Sequence, residues 1–416
     1  MTVIDPAFEI FFGQEMLELL YASKGRKSAA VGRDGIRREK FQSDLKGEVA
    51  LISKKCLAGQ YRFTRYKERL IAKGAGKFPR QISIPTIRDR LALRAVNDYL
   101  ANKIPSAKSD LPHSYIREIT NSMKICGPHH SFVRMDVQEF FPSICHDRLL
   151  KKLEDCKVDQ RAISIVENAI TNCTGEPAKG VKCNSRGVPQ GLSISNILSS
   201  IYLLDFDREW KAQGNFWRYV DDILVISRSD KSSSIFKKLS TDLMKLDLKA
   251  HPLVEGSLKS DIVQISKGID YLGYNISPDN LSVRKSSYKK MYENIMKVFT
   301  TLKYSRDLEK FLVKLNLKIT GCIFNKKRKG WIFFFSQTEN ISQLKRLDLF
   351  ILDCCSKYAP ELDTNKLKKF TRALYEIKYD FNESKYFPRF DEYNDEQKLQ
   401  FISLMTGRSI VELQAM

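Results

Sequence analysis

Long apolar runs are missing from this 416-residue chain. No stretch reaches the roughly 18 apolar residues that a membrane-spanning helix needs. The longest tempting segment, ILSSIYLLDF at 197–206, contains serines and ends in acid. The opening MTVIDPAFEI lacks the basic start and long apolar core of a secretion signal. Histidine is scarce, at five, and none of the nine cysteines forms a Cys-x-x-Cys pair, so zinc-site spacing is excluded. The cysteines are odd in number and scattered, which predicts reduced, mostly buried thiols. Internal repeats and low-complexity blocks are also absent. These absences lead us to expect a soluble, cytoplasmic protein without a membrane partner. Acid is in short supply too: 49 Asp and Glu stand against 70 Lys and Arg, a net charge of +21. Such a surplus draws a protein to polyanions, and nucleic acid is the expected partner because Lys and Arg neutralise phosphates. A generic basic surface is the alternative that charge alone leaves open.

What is present divides the chain by pattern. Residues 6–22 have helical apolar spacing, 25–41 form a basic glycine-rich loop, and 42–58 are helical again. The segment 62–85 predicts two strands joined by a basic glycine turn, and 86–104 a helix with Asp89 near its start. SFVRMDV (131–137) is a strand, 146–156 and 160–171 are helices, and 184–191 is a turn. A long helix is expected over 192–210, with Ile197, Ile201 and Leu204 on one face. FWRYVDDILVIS (216–227) predicts strand, turn, strand; a helix at 232–247 and a hairpin-like 261–277 follow. Beyond about 280 basic helices take over, and 380–395 is an aromatic, acidic loop.

Two neighbouring aspartates, Asp221 and Asp222, sit in an apolar, β-favouring run. Unpaired buried charge is expensive, so a hairpin tip that projects both carboxylates outward explains them best. A solvated turn is the ordinary reading of such a pair. Asp136 adds a second strand end carrying a carboxylate, followed by Phe140 and Phe141. Three carboxylates on adjacent strand ends would hold two Mg²⁺ ions, the arrangement that serves in-line phosphoryl transfer.

The ordered set DVQEFF (136–141), GVPQGLSISN (187–196), YVDD (219–222) and YLGY (271–274) resembles the reverse transcriptases, over about residues 60–280. The resemblance is to the bacterial group II intron and retron-like members, including defence-associated stand-alone enzymes. It implies an α+β right-hand polymerase. Fingers with an N-terminal extension would occupy 1–130. A palm with an antiparallel sheet would occupy 131–279, with 157–190 partly on the fingers side. A helical thumb and C-terminal region would occupy 280–416. It implies that Asp136, Asp221 and Asp222 are the catalytic carboxylates, and that with Val137 they bind Mg²⁺. Phe141 matches the aromatic under the incoming sugar, whose plane excludes a 2′-hydroxyl. Lys73 and Arg80 match the pair that holds the triphosphate. Gln190 matches the residue near the nascent base pair, and Lys259 a lysine proposed as general acid for pyrophosphate. Gly191 would allow close approach of the template. Tyr271 and Gly273 belong to the primer-grip hairpin. Arg90 has a structural reading beside the functional one, and at least one of Phe140 and Phe141 is expected in the core. Ser195-Asn196 departs from the usual Ser-Pro and marks a divergent subgroup.

The activity implied is RNA-directed DNA synthesis from dNTPs on an RNA template, a cognate noncoding RNA, leaving a cDNA product and serving anti-phage defence. Two alternatives stand beside it. One is an RNA-binding, maturase-like chaperone with little synthesis; the other is untemplated or protein-primed DNA synthesis.

Overall fold

The structure, a computed structural model, describes residues 5–24, 30–72, 74, 76, 78–176, 184–407, 409, 410 and 412. Lys73 lies outside them. The chain folds as two compact units, residues 1–110 with 133–262, and residues 111–132 with 263–416. Mixed helix and antiparallel sheet make up the fold, as expected for the α+β class. No described helix is long and apolar enough to cross a membrane. Cys56, Cys145, Cys156, Cys322, Cys354 and Cys355 are free thiols.

In the first unit, the apolar spacing of 6–22 yields two helices, Pro6–Phe12 and Gln14–Lys24. Gly13 adopts extended backbone between them, in keeping with its poor helix propensity. The helices Arg38–Ser43 and Leu45–Leu57 follow, the first beginning inside the stretch expected as loop, and lead to β1 (Lys67–Ile71) and β2 (Arg80–Ile84), antiparallel with Lys67 opposite Ile84 and Ile71 opposite Arg80. Thr86 then caps the helix Ile87–Lys103 by accepting from the Asp89 amide at 3.1 Å. Asp89 itself is buried, bonded by the Tyr61 hydroxyl at 2.9 Å and the Thr64 amide at 3.2 Å.

The sheet that carries the acidic residues comes next. β3 (His130–Gln138), β4 (Phe216–Tyr219), β5 (Asp222–Arg228) and β6 (Lys249–Ala250) lie in the order β4-β5-β3-β6. Strand β3 is central; Val133, Met135 and Val137 form its apolar buried face, while Arg134 and Asp136 alternate with them on the other. The long helix expected over 192–210 breaks at Leu203 into Ser195–Tyr202 and Leu204–Ala212. Asp205 and Asp207 fall in the first turn of the second piece, where the helix dipole favours acid.

The second unit holds β7 (Asp261–Gln264) only in part. Its own elements are the meander β8 (Ile269–Tyr271), β9 (Tyr274–Ile276) and β10 (Leu281–Val283). The hairpin of β11 (Cys322–Phe324) and β12 (Lys327–Lys329) and a set of helices complete it. Ile295, Leu315, Ile332, Leu347 and Phe370 form its core. Asn325 and Lys326 turn the β11–β12 hairpin with φ of 54° and 56°. Positive φ at both positions suits a two-residue hairpin turn, and Asp391 accepts from both amides at 2.6 and 2.7 Å. The stretch 380–394 lacks helix and strand, as its composition predicts.

Candidate active site

The turn between β4 and β5 sets the geometry. Tyr219 pairs with Asp222, leaving Val220 and Asp221 as the two turn residues. The sequence expectation placed both aspartates at the tip; the register puts Asp221 there and Asp222 on the first rung of β5. Val220 is held at φ 59°, a conformation that costs a β-branched residue on the order of 1–3 kcal/mol. A brace meets that strain. Arg218 donates from Nη1 to the Val220 carbonyl at 2.7 Å, and from Nε to Asp207 at 2.6 Å, with Nη2 on the other Asp207 oxygen.

Asp136 and Asp221 are brought together through backbone. The Val137 amide donates to the Asp221 carbonyl at 2.9 Å, so the C-terminal end of β3 abuts the turn. On the other side of β3, the His251 amide donates to the Asp136 carbonyl at 2.9 Å. The Asp136 carboxylate is buried and accepts from Lys259 Nζ at 2.8 and 2.9 Å, while His251 Nε2 lies 3.3 Å away. Burial and then the negative charge of Asp136 push the Asp221 carboxyl above its usual range, and the charges of Lys259 and Arg80 pull against that. Asp222 is turned onto a different partner. Arg134 donates to its two oxygens from Nε at 3.0 Å and Nη2 at 2.8 Å, a bidentate pair. Burial nevertheless pushes Asp222 up to about 6.

Among the described residues no three His, Cys, Asp or Glu side chains stand ready as a metal cage. Lys259 engages Asp136 and Arg134 engages Asp222, while the charges of Lys259 and Arg80 act on Asp221. The donor set still suits a hard divalent cation: Asp136 and Asp221 are close enough to repel each other, and Lys259 supplies the balancing charge.

A cleft of about 480 Å³ lies along β2 and the 187–190 segment, and contains Arg80, Gln190 and Pro142. The Ser83 amide donates to the Gln190 carbonyl at 2.7 Å and ties the two together. Gly191 sits at φ 104°, and a Cβ there would come within 2.8 Å of Ile82 and 2.9 Å of the Ser83 carbonyl. Its missing side chain is thus required by contact with β2. Phe140 is buried, whereas Phe141 is half-buried, 5.6 Å from it between ring centres. The Phe141 carbonyl accepts from the Val188 amide at 2.8 Å, joining the short helix Phe140–Ser143 to the same segment. Arg90 is structural, donating to the Pro85 carbonyl at 3.0 Å and to the Ala30 carbonyl.

Asp136, Asp221, Asp222, Val137 and Lys259 are therefore neighbours, and Gln190 and Arg80 share one cleft. Tyr271 and Gly273 belong to the second unit. Tyr271 is fully buried there, and Gly273, at φ 87°, approaches Phe334 and Phe335. Three residues escaped the sequence reading: Arg134, Arg218 and His251. The first two carried a faint signal, since each is a lone arginine inside an otherwise apolar strand. His251 carried none.

A family model described as reverse transcriptase (RNA-dependent DNA polymerase) matches residues 71–276. Protein YkfC of Escherichia coli strain K12 is 24% identical over 318 residues, covering 63% of this chain and 79% of its own. An uncharacterized 91 kDa protein in cob intron of Schizosaccharomyces pombe is 30% identical over 157 residues, covering 36% of this chain and 19% of its own. Among solved structures, telomerase from Candida albicans in complex with a fragment of telomeric RNA aligns with a TM-score of 0.48 at 15% identity, covering 82% of this chain and 62% of that one. Apo telomerase from Candida tropicalis aligns with a TM-score of 0.45 at 13% identity, covering 89% and 67%. The chain thus spans about three fifths of the length of the Candida albicans telomerase chain.

Proposed function

Residues 71–276 place this chain in the reverse transcriptase family, and we propose that it extends a primer 3′-hydroxyl with deoxynucleotides on an RNA template, using Asp136 and Asp221 as the central carboxylates. The observation that carries this reading is the Val137 amide to Asp221 carbonyl bond, which holds two acidic residues 85 positions apart side by side. Mg²⁺ ions, held by Asp136 and Asp221 with the Val137 carbonyl and with Asp222 in support, would neutralise charge on the triphosphate and acidify the 3′-hydroxyl. Lys259 keeps Asp136 charge-balanced in their absence, and in this reading it would donate a proton to the departing pyrophosphate. Arg80, on the β1–β2 hairpin, holds phosphates together with Lys73, Gln190 flanks the new base pair, and Phe141 excludes a ribose 2′-hydroxyl. Arg134 fixes Asp222, and Arg218 fixes the turn. In this reading fingers, palm and thumb follow the divisions 1–130, 131–279 and 280–416, with the β8–β9 hairpin at Tyr271 and Gly273 gripping the primer.

We further propose a cognate noncoding RNA as template, action in the cytoplasm, and a role in anti-phage defence. The net charge of +21 supports the RNA partner. The test is Mg²⁺-dependent incorporation of labelled dNTPs on a primed RNA, compared with the Asp221→Ala, Asp222→Ala double variant. Incorporation that survives in the variant would remove the site assignment. Sequencing the RNA and DNA that co-purify with the protein from its host would identify the template and separate copying from untemplated synthesis. The ion pairs on Asp136 and Asp222 favour one second reading, an RNA-binding chaperone whose carboxylates stay locked. RNA binding without incorporation at any divalent cation concentration is its signature.

A further inference from the structure

A second concentration of charge lies within the unit formed by 111–132 and 263–416. A cleft of about 950 Å³ there is lined by His113, Arg117, Lys326, Lys327, Arg328 and Lys378. They come from three separate elements: the helix Pro112–Cys126, the β11–β12 hairpin and the helix Phe370–Tyr379. Among the described residues no Asp or Glu lines it. The cations crowd one another. Burial, with the charges of Arg117 and Arg328, holds His113 below its ordinary range, and burial beside Arg389 lowers Arg328. Arg328 is anchored over the Phe381 ring at 3.7 Å, and Lys378 donates to the Thr338 carbonyl at 3.0 Å. Convergent like charge weakens a fold unless something negative offsets it.

The same cleft contains an aromatic surface. Phe333 and Phe335 are buried, but Phe334 between them keeps 39% of its surface exposed and lines the cleft with Ser336 and Gln337. Its ring is near-parallel to Tyr274, at 6.4 Å and 25°, which holds it in place. An exposed, oriented ring beside clustered cations is the pairing that nucleotides satisfy, with base on ring and phosphates on cations. Shape narrows the ligand. A duplex backbone spreads its charge along a ridge, at about one charge per 1.7 Å. A cleft in the roughly 300–1,000 Å³ range of small-ligand sites instead takes a compact, highly charged group.

We propose that this cleft binds a nucleoside 5′-polyphosphate, its phosphates on Arg117, Lys327 and their cationic neighbours and its base against Phe334. Two sources carry that chemistry, a free nucleotide and the 5′-triphosphate end of an RNA. The cleft shares no residue with the proposed polymerase centre and is tested without it.

The test uses the full chain in EDTA, which silences nucleotide binding that depends on a divalent cation. Fluorescence anisotropy compares one short single-stranded RNA with a 5′-triphosphate against the same RNA with a 5′-hydroxyl, and ATP is titrated as a competitor. The triphosphate end is expected to bind about tenfold tighter, with steep salt dependence. Arg117→Glu with Lys327→Glu abolishes that preference while primer extension persists, and Phe334→Ala weakens triphosphate binding about tenfold. Competition by ATP at concentrations near its own dissociation constant assigns the site to free nucleotides. Competition by triphosphate RNA alone assigns it to RNA ends. Equal affinity for both RNA ends together with no ATP binding overturns the proposal. So does a preference that survives the double variant. The wild-type comparison needs no substitution, so a misfolded variant leaves the question decidable.

Discussion

The acidic turn of the first unit and the basic cleft of the second handle charge in opposite ways. Around the turn most carboxylates have a cation of the protein's own, Lys259 on Asp136, Arg134 on Asp222 and Arg218 on Asp207, while Asp221 at the tip feels the charges of Lys259 and Arg80. In the cleft five Lys and Arg side chains converge with no Asp or Glu among the described lining residues, and Asp391 answers Lys326 alone of the five, from the β11–β12 turn. The difference follows from burial. Asp136 and Asp222 are anchored on strands inside a sheet, where an unpaired charge is untenable. The cleft residues Arg117, Lys327 and Lys378 sit at the surface, where water tolerates them until an anion arrives. Internal pairing therefore marks groups that must exchange partners, and uncompensated charge marks groups that wait for one.

The largest expected effect breaks the acidic side outright. Asp136→Asn or Asp221→Asn should lower primer extension by roughly 10³-fold or more, the scale seen when a preorganised charge at a reacting centre is lost. Steady-state incorporation assays check it, with RNA binding unchanged. Arg218→Ala comes next, because it leaves the partly buried Asp207 without its partner and frees the strained Val220 carbonyl. A loss of about 3–5 kcal/mol is expected from chemical unfolding. Wild-type stability in that variant would show that the brace does not hold the turn. Gly191→Ala should cost about 1–3 kcal/mol, since its φ of 104° and the nearby Ser83 carbonyl both resist a Cβ. The thermal midpoint reads this directly.

The smallest effect is a pH dependence that sharpens the comparison. Burial raises Asp222 from 3.8 to about 6, so the folded chain holds this proton more tightly than the unfolded chain does. The stability so contributed is full below about pH 3.8 and is lost as pH rises through about 6. The carboxylate forms over that same window, so primer extension should fall as pH drops below about 6. Arg134→Ala removes the main charge that favours the ionised form and should move the acid limb to higher pH. A pH–rate profile identical to wild type would separate Arg134 from Asp222.

Much of the site was legible in residues that act locally. The apolar runs around Asp221 and Asp222 announced a hairpin, and SFVRMDV announced a strand that ends in acid. The break at Gly13 and the split at Leu203 were not foreseen, because an apolar stripe continues across both and packing decides where the backbone leaves the helix. The placing of Asp222 on β5 rather than at the tip depended on a one-residue difference of register, which alternation alone does not settle.

By itself the sequence determined the carboxylates, their strand-end setting, the motif order of the family and the excess of positive charge. Each of these is written in neighbouring residues or in composition. Only the tertiary structure decided which cation answers which carboxylate. Arg134 reaches Asp222 across 88 positions and Lys259 reaches Asp136 across 123, and contacts that distant arise from how strands are ordered in a sheet. It also gathered Arg117, Lys327 and Lys378 into one cleft, because separate helices and a hairpin share a core whose packing fixes where their surfaces meet.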